Sequence, residues 1–160
     1  MLHDLTPVSV PLSELEIHPD NPRRGDIPAI AESLRLHGQY RPIVVQRSRM
    51  RIVAGNHTFQ AAVLNGWSEI AAVLLDVDDR EAQAILLADN RTSDLGGYDK
   101  DALIESLLSR NGDLLGTGYS QPDVDALLTV ARRSTDQAVR EFTVNDVETA
   151  NTCPSCGYEW

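Results

Sequence analysis

Apolar and polar positions along the first hundred residues switch repeatedly between two periods. Val8–Leu15 alternates loosely and predicts a first strand. Pro42–Gln46 and Arg51–Ala54 are two short apolar runs around Ser48-Arg49, the pattern of a hairpin, and Glu69–Val77 is a further strand. Between these runs the spacing is helical. Ile27, Ile30, Ala31 and Leu34 fall on one face, with Asp26 as cap, Pro28 in the first turn and Gly38 as stop. A helix over 57–65 ends at Asn65-Gly66. Asp79 caps another that runs to about Asp89, with Ala82, Ile85 and Leu86 inward. His18-Pro19-Asp20-Asn21-Pro22-Arg23 has the composition of an ordered turn.

After residue 98 the pattern is helical only. Asp99 caps a run with Leu103, Ile104, Leu107 and Leu108 on one face, and Gly112–Gly118 reads as a loop. Ser120-Gln121-Pro122-Asp123 resembles a capping box ahead of Val124, Leu127, Leu128 and Ala131. From Arg132 the periodicity fades. The expected organisation is an α+β domain over 1–98, a helical extension packed on it over 99–133, and a polar tail over 134–160. Strands alternating with helices predict a small mixed sheet with flanking helices.

The chain has 160 residues, 42% of them apolar, enough for one domain with a real core. No apolar run reaches the roughly 18 residues of a membrane span, and Met1-Leu2-His3-Asp4 lacks a basic head, so a cytoplasmic protein with no membrane partner is expected. Its net charge of −10 removes a bulk basic footprint for duplex DNA. The charge is uneven, however. Residues 21–60 carry Arg23, Arg24, Arg35, Arg41, Arg47, Arg49 and Arg51 against only Asp26 and Glu32, a local +5 on an acidic body. That suits a phosphate-bearing ligand or a short stretch of nucleic acid, although scattered surface arginine gives the same count.

Gly55-Asn56-His57-Thr58 is the stretch with the most chemistry. A strand ends, a glycine turns the chain, and a helix begins at once. The free N–H groups and positive dipole end of a helix start make an anion site, and phosphate is the expected anion. His57 could contact that phosphate or carry a proton, or simply bond a backbone group. Thr58 could donate its hydroxyl to phosphate or cap the helix, and Asn56 could be the N-cap. His18, Asp20 and Asn21 could join a pocket or serve turn hydrogen bonds. Arg23 and Arg24 are candidates for phosphate or nucleic-acid contact. Asp89 and Asn90 end the helix, where asparagine commonly serves as a left-handed stop; Glu32 and His37 are expected on a solvated face. Cys153-Pro154-Ser155-Cys156-Gly157 is half of a zinc knuckle, since a structural zinc takes four N/S ligands. Two chains could pool four cysteines around one Zn2+ and form a homodimer through the tail; two free thiols or a redox pair are the alternatives.

The order of these elements and their turn residues resembles the ParB/sulfiredoxin-like superfamily, over roughly residues 7–98. Val10-Pro11-Leu12-Ser13-Glu14-Leu15 with Asn21-Pro22-Arg23 looks like its opening strand and loop. Gly38-Gln39-Tyr40-Arg41-Pro42-Ile43-Val44-Val45 is similar to its "G-Q-x-x-P-I-x-V" box, Arg51–Ala62 to its "G-x-x-R-x-x-A" box, and Ala88-Asp89-Asn90-Arg91 to its "E-N" box. The resemblance implies a DNA-associated protein with a CTP or ATP site, Mg2+-dependent, with nucleotide hydrolysis in some branches and DNA nuclease activity in others. By the same resemblance Gly38 and Gln39 line the base and sugar side; Gly55, Asn56, His57 and Thr58 cradle phosphates, and Asp89 and Asn90 face phosphates and Mg2+. Catalytic roles fall to His57 and Asp89, and Arg41, Arg23 or Arg91 could supply charge from elsewhere. The segment 94–119 looks like that of phage and methyltransferase-linked relatives, which makes a DNA methyltransferase or another phage protein a candidate partner. Where the family's phosphate box often carries arginines, this chain has Asn56, His57 and Thr58, so a bidentate guanidinium clamp there is lost. Sulfiredoxin's cysteine is Asn56 here, so thiol-based reduction is not expected. The rivals to nucleotide binding are a metal-dependent nuclease and a non-catalytic adaptor of a DNA-modifying partner.

Overall fold

The computed structural model describes residues 3–138 and 152–158. Five strands form one mixed sheet: β1 (Val8–Pro11), β2 (Glu16–Ile17), β3 (Ile43–Gln46), β4 (Arg51–Ala54) and β5 (Glu69–Leu75). Their spatial order is β1-β5-β3-β4-β2. β1 runs antiparallel to β5 and β3 antiparallel to β4, whereas β3 pairs parallel with β5 and β2 parallel with β4. The helices are α1 (Ile27–His37), α2 (Asn56–Leu64), α3 (Asp79–Leu95), α4 (Lys100–Leu108) and α5 (Gln121–Ala138).

Strand alternation builds two cores. Ile43, Val45, Ile52, Ile70 and Ala72 face α1 and α2, meeting Ala31, Leu34, Ala61 and Ala62. Their neighbours Val53, Val73 and Leu75 point to the other face, against Ala82 and Leu86 of α3. The sheet is therefore covered on both sides, and its central strands are apolar in both phases. Ile43, Ile52, Ile70 and Leu86 are each 2% exposed or less, and burying a side chain of that size contributes about 1.5–3 kcal/mol. The α+β class is as expected. Among the described residues no helix is long and apolar enough to cross a membrane.

Several element bounds differ from expectation. The first strand stops at Pro11: the Leu12 amide turns to the Ser68 carbonyl (3.0 Å), a short 3₁₀ turn covers Leu12–Glu14, and β2 resumes beyond it. Gly55, not Asn56, is the N-cap of α2, at φ +92. Asp78, not Asp79, caps α3, through Asp78 Oδ1 accepting from the Glu81 amide at 2.8 Å. α3 also runs past Asp89-Asn90 to Leu95, so Asn90 is no left-handed stop. The Thr92 and Ser93 hydroxyls donate back to the Ala88 and Asp89 carbonyls (both 2.8 Å) and keep that polar stretch wound. α5 continues to Ala138; the expected tail over 134–160 falls outside the described residues at 139–151 and 159–160.

α4 packs on α5. The loop between them returns to α1, where the Gly116 amide donates to Glu32 Oε2 at 3.1 Å. A Cβ on Gly116 would lie 2.6 Å from His37 Nε2. Glu32, half-buried, therefore meets this loop, while His37 borders it and stays exposed, as expected of a solvated face.

Candidate functional site

The β4–α2 junction sets the site. Gly55 adopts φ +92, and a Cβ there would meet Ile43 Cγ2 at 2.6 Å, so both the backbone angle and the space demand glycine. The first intrahelical bond of α2 runs from the Phe59 amide to the Gly55 carbonyl at 3.0 Å. The amides of Asn56, His57 and Thr58 are left at the open helix end.

That end borders a hollow of about 190 Å³, lined by Arg23, Arg41, Gly55, Asn56, His57, Thr58, Asp89 and Asn90 with Asn21, Ile30, Val53, Ala54 and Ser93. The turn is therefore open, and residues more than sixty positions apart in sequence converge on it. The loop before α1 is held to α3 by a small polar network. Asn21 Oδ1 accepts from both the Arg23 amide and Asn90 Nδ2, each at 3.2 Å. Arg23 Nη1 reaches the Asn90 carbonyl and Asp94 Oδ1, each at 3.1 Å. Arg23 thus spends its charge on α3. Arg41 has no hydrogen bond or ion pair for its guanidinium among the described residues, and it borders two further grooves besides this hollow.

His57 Nε2 lies 3.2 Å from the Arg23 carbonyl, and since a carbonyl only accepts, this nitrogen carries hydrogen. Gly25 closes on the ring: a Cβ there would stand 2.8 Å from His57 Cγ. Gly25→Ala is expected to push the ring from its place and weaken ligand binding several-fold. The melting temperature should shift little, because Gly25 is exposed. Titration of the variant beside wild type, with thermal unfolding as control, checks this.

The other candidates separate. Asn56 is 5% exposed and its Oδ1 accepts from the His18 amide (3.2 Å), so its side chain serves the fold while its backbone faces the hollow. His18 is buried, with Nδ1 accepting from the Asp20 amide (3.3 Å), a turn bond. Gly38 and Gln39 do not line the hollow. The Gln39 amide is spent on the backbone of β5, Nε2 donating to the Ala71 carbonyl at 2.9 Å and Oε1 accepting from the Ala71 amide at 2.7 Å. Arg24 is exposed and outside the lining.

The local +5 also divides. Arg47, Arg49 and Arg51 pair with Asp76, Asp79 and Glu16 at the β3–β4 turn. Asp79 is held below the ordinary carboxylate range first by the Arg49 hydrogen bond and then by Gln46. These cations serve the sheet edge and leave Arg23 and Arg41 at the hollow. Cys153 and Cys156 are both free thiols, and among the described residues no group of three or more His, Cys, Asp or Glu is arranged for a metal. Sequence reasoning missed Gly25, whose contact with His57 is non-local, and Ser93, hidden beyond the supposed end of α3.

Residues 3–91 match the family described as the ParB N-terminal domain. The chain is 30% identical over 143 residues to the probable plasmid-partitioning protein ParB of Thermus thermophilus, spanning 87% of this chain and 46% of that protein. It is 29% identical over 140 residues to the chromosome-partitioning protein Spo0J of the same organism, spanning 83% and 49%. The chain thus spans about half the length of these curated relatives. Its fold is similar to that of the C-terminally truncated chromosome-partitioning protein ParB from Caulobacter crescentus complexed with CTP-γ-S. The TM-score is 0.57 at 23% identity, covering 74% of this chain and 68% of that one. With a family match over more than half its length and the expected mixed sheet beneath it, the chain belongs to the ParB N-terminal domain family.

Proposed function

We propose that the chain binds a nucleoside triphosphate with Mg2+, its phosphates seated at the start of α2, and acts in association with DNA. The observation that carries this reading is the meeting, in one hollow, of an open helix end and a guanidinium, Arg41, that has no partner among the described residues. Backbone N–H groups, the helix dipole and a cation together favour a multiply charged anion. Arg41 supplies from β3's entry the charge that the phosphate turn itself lacks. CTP is the first nucleotide to test, because the structural relative was solved with CTP-γ-S.

Asp89 is the one carboxylate in the lining among the described residues. Mg2+ is commonly held by one or two carboxylates together with phosphate oxygens and waters, so Asp89 beside Asn90 fits it. When bound, Mg2+ supplies charge neutralisation to the phosphates. A two-metal nuclease site bridges two cations about 3.5–4 Å apart, and a single lining carboxylate favours the nucleotide reading over that rival. His57, with Nε2–H directed to the Arg23 carbonyl, orients the turn rather than taking a proton through that nitrogen. Arg24, exposed next to Arg23, is the candidate for a DNA phosphate. The partitioning role of these relatives supports the DNA association.

Calorimetric titration with CTP, ATP and GTP, each with Mg2+, tests the proposal, beside incubation with duplex DNA and Mg2+ and an assay for released phosphate. Binding of a nucleotide with the DNA left intact is the expected result, and phosphate release would add hydrolysis. DNA cleavage without nucleotide binding would replace the reading with a nuclease. No heat and no cleavage would leave an adaptor.

A further inference from the structure

Two guanidinium groups, Arg23 and Arg41, line the phosphate hollow. The free chain holds the first of them back. Arg23 Nη1 is turned to α3, 3.1 Å from Asp94 Oδ1 and 3.1 Å from the Asn90 carbonyl. The hold is weak for an ion pair. The Arg23 and Asp94 side chains are 39% and 59% exposed, and a pair so open to water is screened and adds little. Asp94 stands at the end of α3, where every residue from Arg91 to Leu95 is exposed. A polyphosphate is a stronger partner for a guanidinium than one half-exposed carboxylate, because it carries more charge and offers paired oxygens to the fork. Two bonds of the 21–25 loop do not involve the guanidinium. Asn21 Oδ1 accepts from Asn90 Nδ2, and His57 Nε2 meets the Arg23 carbonyl, each at 3.2 Å. The side chain can therefore leave α3 without the loop leaving with it.

Building on the nucleotide reading of the hollow, we propose that Arg23 is a second phosphate-binding residue and that Asp94 is its built-in competitor. The carboxylate occupies the guanidinium in the free chain, and a polyphosphate seated at the start of α2 takes its place. Binding then exchanges one ion pair for another. Asn90 follows from the same contact, because its carbonyl shares Nη1 with Asp94 while its side chain stays on Asn21. Asp94 opposes the ligand in two ways: it withholds a cation from the hollow, and it leaves a bare negative charge beside the phosphates once that cation has moved. The first effect requires Arg23 and the second does not, so the two are separable by substitution.

The test titrates Mg2+ with CTP and, separately, inorganic tripolyphosphate into the full chain at low salt. Asp94→Asn should tighten both ligands by about threefold to fivefold, the scale of an exposed ion pair, and the gain should shrink as salt is raised. Arg23→Ala should weaken both. The deciding variant carries Arg23→Ala and Asp94→Asn together. With the contested guanidinium gone, most of the gain from Asp94→Asn should vanish, and the double variant should bind close to Arg23→Ala. Arg23→Gln, whose amide can still donate to the Asn90 carbonyl, repeats the comparison should the alanine variant melt early. A gain from Asp94→Asn that persists in full without Arg23 would reduce Asp94 to general charge repulsion and overturn the proposal. Nucleotide binding that is equal in wild type and Asp94→Asn would strike the role of Asp94 and leave the reading of the hollow standing. If neither protein binds CTP or tripolyphosphate, that reading falls and this proposal with it.

Discussion

Gly55→Ala is expected to destabilise the fold by about 2–5 kcal/mol and to abolish ligand binding together with it. Two costs add at this position. A residue with a Cβ in the left-handed region costs roughly 1–2 kcal/mol, and forcing an extra carbon into packed surroundings costs about 1–3 kcal/mol more. The second cost is specific to this site, because the new Cβ would meet Ile43 Cγ2 at 2.6 Å, and Ile43 is 1% exposed in the core between the sheet and α1 and α2. Gly66 is the internal control. Its φ is +73, but a Cβ there would meet nothing within 4 Å. Gly66→Ala should therefore show the conformational cost alone. Chemical denaturation of both variants checks this, and equal losses at the two positions would remove the claim that the turn is wedged against Ile43.

Arg41→Ala is expected to weaken nucleotide binding by about tenfold to a hundredfold, the worth of a hydrogen bond to a charged group at about 1.5–3 kcal/mol. Stability should change by no more than about 0.5 kcal/mol, because the side chain is exposed and holds no partner among the described residues. Arg41→Lys keeps the charge and loses the fork, so it should fall between the two. Arg23 makes a useful contrast. Its guanidinium already serves the Asn90 carbonyl and Asp94, so its removal should loosen the 21–25 loop from α3 and lower stability as well as affinity. Unchanged affinity in Arg41→Ala, measured by titration at low salt, would move the phosphates out of this hollow.

Much of the fold was legible in the residues. α1 announces itself by Asp26, Pro28 and Gly38, and the structure shows Asp26 Oδ1 accepting from the Ala29 amide at 3.0 Å, with Gly38 at φ +69. The β3–β4 hairpin followed from two apolar runs around a polar turn. The end of α3 did not, because Ala88–Leu95 has an exposed, polar surface with no periodicity to read, and its helix is sustained by hydroxyl-to-carbonyl bonds. The hollow was foreseen in part. Gly55, His57, Thr58, Asp89 and Arg41 stand in its lining. Gln39 does not, since which way its amide turns depends on Ala71 of β5, thirty-two residues later, whose backbone groups lie just before β3 begins to pair. The arginine count misled for the same reason. Composition places seven cations in one window, but only the folded chain sends three of them to carboxylates at the far turn.

The hollow draws its walls from Asn21 at one extreme of the sequence and Ser93 at the other. During synthesis, then, the glycine corner emerges well before the residues that close the space around it. A nascent chain halted ahead of α3 would carry the corner and Arg41 but lack Asp89, Asn90 and Ser93. A ligand that held only the finished enclosure would raise the melting temperature with its own concentration.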